Sequence, residues 1–248
     1  MVSIVVATYN SQQTLSACLD SILSQSFQDW ECLIVDGLSK DNTLNIIQSY
    51  IDKDARFRYI SEKDNGIFDA LNKGVNLAKG EWIYVLGSDD KLTKDGLRHL
   101  VIVSEEYDLV YGNTIDQYLN GLCRFPRSKD FHLVVKNMFC SHQALIMRRD
   151  VILKLNGFSL QYPLKADFDL IQRAYLAGYS FKQIQSTIAI FSMGGVSGQA
   201  SILQEIERYR ILKTNRSVKY PLLTSLMTFG KKMVKRIYLL IFQVAKSP

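Results

Sequence analysis

Over residues 1–90, short apolar runs that end on polar or acidic residues alternate with stretches of helical period. Ser3–Ala7 predicts a strand, with Thr8, Tyr9, Asn10 and Ser11 as its polar exit. Leu15, Leu19, Ile22 and Leu23 then recur on one helix face, with Thr14 or Ser11 available as N-cap. Cys32–Val35 predicts a second strand running into Asp36, and residues 42–51 a helix. Arg56–Ser61 predicts a third strand leading to Glu62 and Asp64, and Phe68–Ala78 a helix closed by Lys79-Gly80. Trp82–Leu86 reads as a strand buried on both faces, and it stops at Gly87-Ser88-Asp89-Asp90. The alternation implies a parallel sheet with right-handed crossovers. The polar strand ends then gather along one edge, where open α/β sheets bind ligands.

Two readings of Ser88, Asp89 and Asp90 stand at this level. They cap a helix starting near Thr93, or the adjacent carboxylates hold a cation that compensates their repulsion. Acids after three successive strands favour a ligand site. The glycine fingerprints of dinucleotide folds and P-loops are absent from the sequence, which argues against a nicotinamide oxidoreductase or an NTPase. A crevice of oxygen ligands suits a nucleotide whose diphosphate carries a hard divalent ion, Mg²⁺ or Mn²⁺.

The second half is less regular. Leu109–Asn113 predicts a short strand and residues 114–130 an irregular or hairpin stretch. His142-Gln143 precede an apolar strand, and a lone histidine in that position is ordinarily a hydrogen-bonded structural residue. Residues 164–170 open an amphipathic helix that runs to Gly178, and Asp167 and Asp169 near its start are electrostatically favourable with or without chemistry. Gly194-Gly195 followed by Ser197 suit either a mobile loop contacting phosphates or a tight turn.

Composition narrows the picture. The 248 residues are 47% hydrophobic and 22% charged, ordinary for a soluble globular chain of one large domain with or without a tail. A net charge of +6 suits an anionic substrate or membrane surface and does not demand nucleic acid. Four cysteines lack zinc spacing and read as free thiols in a reducing compartment. The N-terminal apolar run reads as a strand, not a signal peptide. No stretch reaches the roughly 18–20 apolar residues of a spanning helix.

The segments Ser3–Asn10, Val35–Asp41, Asp64–Gly74 and Gly80–Asp90, in that order, resemble the family 2 glycosyltransferases, closest to members that build bacterial surface polysaccharides of the colanic-acid type. The resemblance covers roughly residues 1–200. It implies the GT-A fold, a mostly parallel Rossmann-like sheet flanked by helices. It also implies inverting transfer of a sugar from a nucleotide-diphosphate sugar to a glycan or lipid-linked acceptor, with Mn²⁺ or Mg²⁺. Residue by residue, it places Thr8, Tyr9, Asn10, Asp36, Asp64 and Ser88 at the donor nucleotide. Asp89, with Asp90 beside it, falls at the metal, and Asp167 becomes the catalytic base. His142, Gln143, Gly194, Gly195 and Ser197 belong to the acceptor side and its loop. Gly87 replaces the first Asp of the family's DxD motif, Leu38 a common Gly, and Ala166 the Glu before the base. Those departures motivate an alternative, a catalytically weakened relative that keeps only the nucleotide-sugar site. The implied organisation is a transferase domain at 1–215, with donor half 1–115 and acceptor half 116–215, then a basic amphipathic tail at 216–248. In the tail, Lys231, Lys232, Lys235 and Arg236 flank an apolar run at 237–242. Such a segment lies on an anionic membrane surface, packs on the protein's own body, or forms a partner surface. The first reading places the enzyme in the cytoplasm, peripheral at the inner face of the membrane.

Overall fold

The computed structural model describes residues 1–118, 120–193 and 202–230. Its first half runs β1 (Val2–Thr8), α1 (Leu15–Leu23), β2 (Trp30–Asp36), α2 (Thr43–Lys53), β3 (Phe57–Ser61), α3 (Ile67–Leu77) and β4 (Trp82–Gly87). The second half runs β5 (Lys91–Leu92), α4 (Gly96–Val101), β6 (Leu109–Gln117), β7 (Cys123–Arg124), β8 (Leu145–Arg148), α5 (Arg149–Lys154), α6 (Ala166–Leu176), β9 (Phe181–Ser192) and α7 (Ile202–Thr214). Short 3-10 turns at Phe131–Val135 and His142–Ala144 join them, and residues 221–230 are helical.

Among the described residues the strands form one sheet in the order β3-β2-β1-β4-β8-β6-β9-β5, with β7 on β6. The β3-β2-β1-β4 half is parallel throughout. β8 then runs antiparallel to both β4 and β6, while β6 and β9 are parallel. Every residue of β1 and β2 is buried, which is why these strands read as unbroken apolar runs. Val5, Ala7, Leu33 and Val35 face a core shared with α3 and α6, while Val2, Ile4, Val6 and Ile34 face one shared with α1 and α2. Ser3 interrupts the run without cost because its hydroxyl donates to Glu31 at 2.6 Å and accepts the Gly80 amide at 2.8 Å.

Several local expectations are corrected. Neither Thr14 nor Ser11 caps α1 with a side chain; the Ser11 carbonyl accepts the Thr14 and Leu15 amides. α3 ends on Ala78 in extended conformation, and Gly80 serves close approach instead, since a Cβ there would stand 2.6 Å from Ser3 Oγ. The helix expected near Thr93 starts three residues on, with Asp95 as its N-cap residue. β5 intervenes, pairing with Ile190 and Ala189 of β9, and α4 begins at Gly96, so Ser88, Asp89 and Asp90 cap nothing. β6 extends to Gln117 because β9 pairs with it along that length. All four cysteines are free.

Gly74 in α3 lies against β1, where an added Cβ would overlap Val5 Cγ1, itself fully buried. Gly74→Ala should therefore destabilise the fold by about 1–3 kcal/mol despite alanine's better helix propensity. Urea denaturation checks this, and a variant as stable as the parent would contradict it.

Candidate active site

The carboxyl ends of β1 and β4, the loops after β2 and β3, and the end of β9 enclose a crevice of about 610 Å³. That lies within the roughly 300–1,000 Å³ of small-molecule sites. Thr8, Tyr9, Asn10, Asp64, Ser88, Asp89, Asp90 and Gln143 line it, together with Ser192. Parallel register explains the convergence, since Ala7 pairs with Gly87 and Thr8 with Asp36.

On the β1 side, Thr8 Oγ1 is buried with no hydrogen-bond partner among the described residues. An unpaired buried hydroxyl costs about 1–3 kcal/mol, which a polar ligand would remove. Tyr9 stands exposed at the rim. Asn10 adopts φ 49° and ties its own loop to the next, its amide donating to Ser39 Oγ and its side chain accepting the Lys40 amide. Asp64 packs over the backbone of Gly37, where a Cβ would stand 2.6 Å from Asp64 Oδ2.

Asp36 closes β2 opposite Thr8. It is fully buried, and its carboxylate accepts the Ser39 amide and hydroxyl at 3.1 and 2.5 Å and the Ser61 hydroxyl at 2.6 Å. Both oxygens are thus engaged in shaping the loop that follows. Within that loop Leu38 keeps φ 63°, the left-handed conformation a glycine would take freely, at about 1–2 kcal/mol.

The two acids after β4 differ sharply. Asp89 is partly exposed, and its side chain accepts no hydrogen bond among the described residues. Asp90 is 1% exposed, and its Oδ1 accepts the Ser192 amide at 2.8 Å. Burial pushes the Asp90 carboxyl up to about 7, against the opposing pull of the Ser192 amide. Ser192 also donates its hydroxyl to the Asp89 carbonyl at 2.5 Å, and Ser88 shares a hydrogen bond with Ser11 at 2.9 Å. Gly87 has a packing reason: a Cβ there would stand 2.5 Å from Asp90 Oδ2 and 2.9 Å from Asp89 Oδ1. No cluster of three His, Cys, Asp or Glu suited to a metal occurs among the described residues. A hard divalent ion fits such a site only as Mg²⁺ usually binds, through one or two carboxylates, waters and substrate phosphates.

Gln143 lines the crevice, its carbonyl accepting the Tyr84 hydroxyl, while the adjacent His142 faces away toward α6. His142 Nδ1 lies 3.7 Å from Asp167 Oδ2, and its ring stacks on Phe158 at 5.9 Å. A small apolar-walled cavity of about 20 Å³ backs the pair, bounded by Ile83, Val85, Leu170 and Ile171. Burial opposes ionisation of Asp167, but the His142 ring beside it, with Lys165 and the Phe168 amide, holds its carboxyl below the usual carboxylate range. Asp169 belongs to the scaffold: it is 2% exposed and paired with Arg173 at 2.8 Å. Ala166 is fully buried in the core. Gly194, Gly195 and Ser197 lie outside the described residues. Ser11, from the polar exit of β1, also lines the crevice, as do Gln12 and Asp41, which no strand-end pattern marks, and Ser192, the partner of both acids.

A nucleotide-sized crevice on the carboxyl ends of parallel strands, with a free acid after the central one, defines an α/β transferase of the GT-A kind. Residues 3–155 match the family described as Glycosyl transferase family 2. A PGL/p-HBAD biosynthesis glycosyltransferase of Mycobacterium tuberculosis is 36% identical over 181 residues, 71% of this chain and 70% of the relative. Glycosyltransferase GlyG of Streptococcus pneumoniae is 34% identical over 116 residues, 46% of this chain and 38% of that protein. Among solved structures, S. aureus TarS superposes with a TM-score of 0.69 at 19% identity, over 85% of this chain and 38% of that one. The mannosyltransferase PcManGT from Pyrobaculum calidifontis, in complex with GDP-Man and Mn²⁺, gives 0.66 at 16% identity over 98% and 79%. These likenesses show the GT-A fold. The chain belongs to glycosyltransferase family 2 and is a transferase.

The buried Asp90 generates a pH prediction. Its folded-state pKa of about 7 exceeds the usual carboxylate value, so the fold favours the protonated form. The penalty is absent at low pH, grows between about 4 and 7, and is complete above 7. Without divalent metal, Asp90→Asn should melt about 2–8 °C higher than the parent at pH 8, and the gap should close near pH 4. A melting difference that does not change with pH would overturn the assignment.

Proposed function

We propose that this chain is an inverting, metal-dependent glycosyltransferase. It would move a sugar from a nucleotide-diphosphate sugar to a glycan or lipid-linked acceptor in bacterial surface-polysaccharide synthesis. The observation that carries the reading is a division of labour among acids. Asp89 is free at the crevice, while Asp167 is held ionised beyond Gln143 and His142. Single-displacement inversion needs these two functions on opposite sides of the anomeric carbon.

In this reading the nucleotide lies along Thr8, Tyr9, Asn10 and Asp64, with the unpaired Thr8 hydroxyl taking a polar group of the base or ribose. Asp36 acts by holding the loop beneath it. Asp89 would hold the divalent cation, which when bound neutralises charge gathering on the diphosphate leaving group, worth several kcal/mol. Asp90 anchors β9 through Ser192 and is the weaker candidate ligand, since near neutral pH it is only partly ionised. Asp167 accepts the proton of the attacking hydroxyl, and His142 and Gln143 form the wall between donor and base. Mn²⁺ or Mg²⁺ and a UDP- or GDP-sugar are supported by the folds solved with UDP-GlcNAc and with GDP-Man and Mn²⁺. The acceptor would lie at the inner face of the cell membrane, where the basic residues 216–248 hold the enzyme peripherally.

Two departures from the family pattern have packing reasons. Gly87 leaves room for the Asp89 and Asp90 carboxylates, and a glutamate at 166 would be forced into the core. Both departures are accommodations of this chain's packing.

General-base catalysis typically contributes about 10²–10⁴-fold. Asp167→Asn keeps the shape and removes the basicity. Nucleotide release from UDP- or GDP-sugars, with Mn²⁺ and acceptor, should fall by about that factor, while donor affinity stays near the parent's. Near-normal turnover would refute the role.

A further inference from the structure

Charge is unevenly spread along the chain. Of 30 Lys and Arg and 24 Asp and Glu, seven basic residues and no acidic one fall at 216–248. Residues 1–215 therefore hold 23 basic against 24 acidic residues, a net of −1, and the protein's whole positive charge belongs to the later segment.

The described part of that segment is helical at 221–230 and faces the wrong way for water. Its inner side carries Ser225, 5% exposed, whose carbonyl accepts Arg208 Nη2 at 2.8 Å. Arg208 is itself fully buried and pairs with Glu205 at 2.5 Å. The opposite side presents Leu222, Leu223, Leu226 and Met227, each 55–59% exposed. Positions i, i+1, i+4 and i+5 form one face of an α-helix. A water-facing helix has the reverse arrangement, and a contiguous apolar stripe of this kind marks an interaction surface. The sequence then continues into Lys231, Lys232, Lys235 and Arg236.

We propose that the outward face formed by Leu222, Leu223, Leu226 and Met227 docks on an anionic lipid bilayer, a surface opposite in charge to the seven basic residues of 216–248. The inference rests on the membrane-side acceptor named above and assigns the surface that meets the membrane. Charge selects the occupant. A second copy of the chain would set basic segment against basic segment. An anionic bilayer supplies both an apolar layer for the leucines and the opposite charge for the lysines.

The test uses the full chain and vesicles of phosphatidylcholine alone or with a quarter phosphatidylglycerol, read by co-sedimentation. The parent should bind the anionic vesicles about tenfold or more tightly than the neutral ones. Leu222→Ser/Leu226→Ser should lose about tenfold or more of that binding, at unchanged melting temperature and unchanged donor-sugar hydrolysis in vesicle-free solution. If the double variant fails to fold, Met227→Gln should show a smaller loss in the same direction. Equal binding of the parent to both vesicles, equal binding by the variants, or a parent dimer on light scattering that the double variant abolishes would each overturn the proposal. Donor-sugar hydrolysis reports the crevice separately: its absence in the parent would count against the glycosyl-transfer reading and leave the vesicle result to judge the surface alone.

Discussion

Everything at the site depends on the register of β1 between β2 and β4. Thr8 opposes Asp36 and Ala7 opposes Gly87 because seven residues of β1 pair in parallel with β2 and six with β4. Side chains in a strand alternate, so a one-residue slip would turn Val5 and Ala7 out of one core and Thr8 away from the crevice. Burial on both faces penalises any slip, and the Ser3–Glu31–Gly80 hydrogen bonds pin the opposite end of the same strands. A fixed frame of this kind lets polar loops carry function without being rigid themselves.

The second organising contact spans the sheet. Ser192, at the end of β9, donates its amide to Asp90 and its hydroxyl to the Asp89 carbonyl, bridging residues 102 and 103 positions apart. Asp90 is an expensive residue to bury. Its return is that β9 is fastened directly to the turn that presents Asp89. A neighbouring bond from Tyr84 to the Gln143 carbonyl fastens the His142–Ala144 turn to the same strand. The end of β9 and the His142–Ala144 turn are thereby tied to β4 and the turn after it by hydrogen bonds that each join a side chain to a backbone group.

The parallel half of the fold was legible because doubly buried strands read as continuous apolar runs that break at their polar ends. Most of the crevice followed from that alone: Thr8, Asp64, Ser88 and Asp89 lie where strand ends converge. The rest was hidden for identifiable reasons. β5 is two residues long and exists only because it pairs with Ile190 and Ala189, a partnership no local pattern announces. The capping reading of Ser88, Asp89 and Asp90 failed on that account. Asp36 and Asp89 look alike in sequence, yet one is saturated by two serines and the other is free, a difference set by loop geometry. Leu38 shows the converse, since its left-handed backbone, φ 63°, is a conformation that nothing in the local sequence announces.

The central claim is that the end of β4 anchors the donor diphosphate through Asp89. Calorimetry of nucleoside diphosphate binding to the parent and to Asp89→Ala, each with and without Mn²⁺, tests it most directly. The account predicts that Mn²⁺ tightens binding to the parent and leaves Asp89→Ala unaffected, with the variant's metal-free affinity near the parent's. The same Mn²⁺-dependent tightening in Asp89→Ala would contradict it and move the role to Asp90.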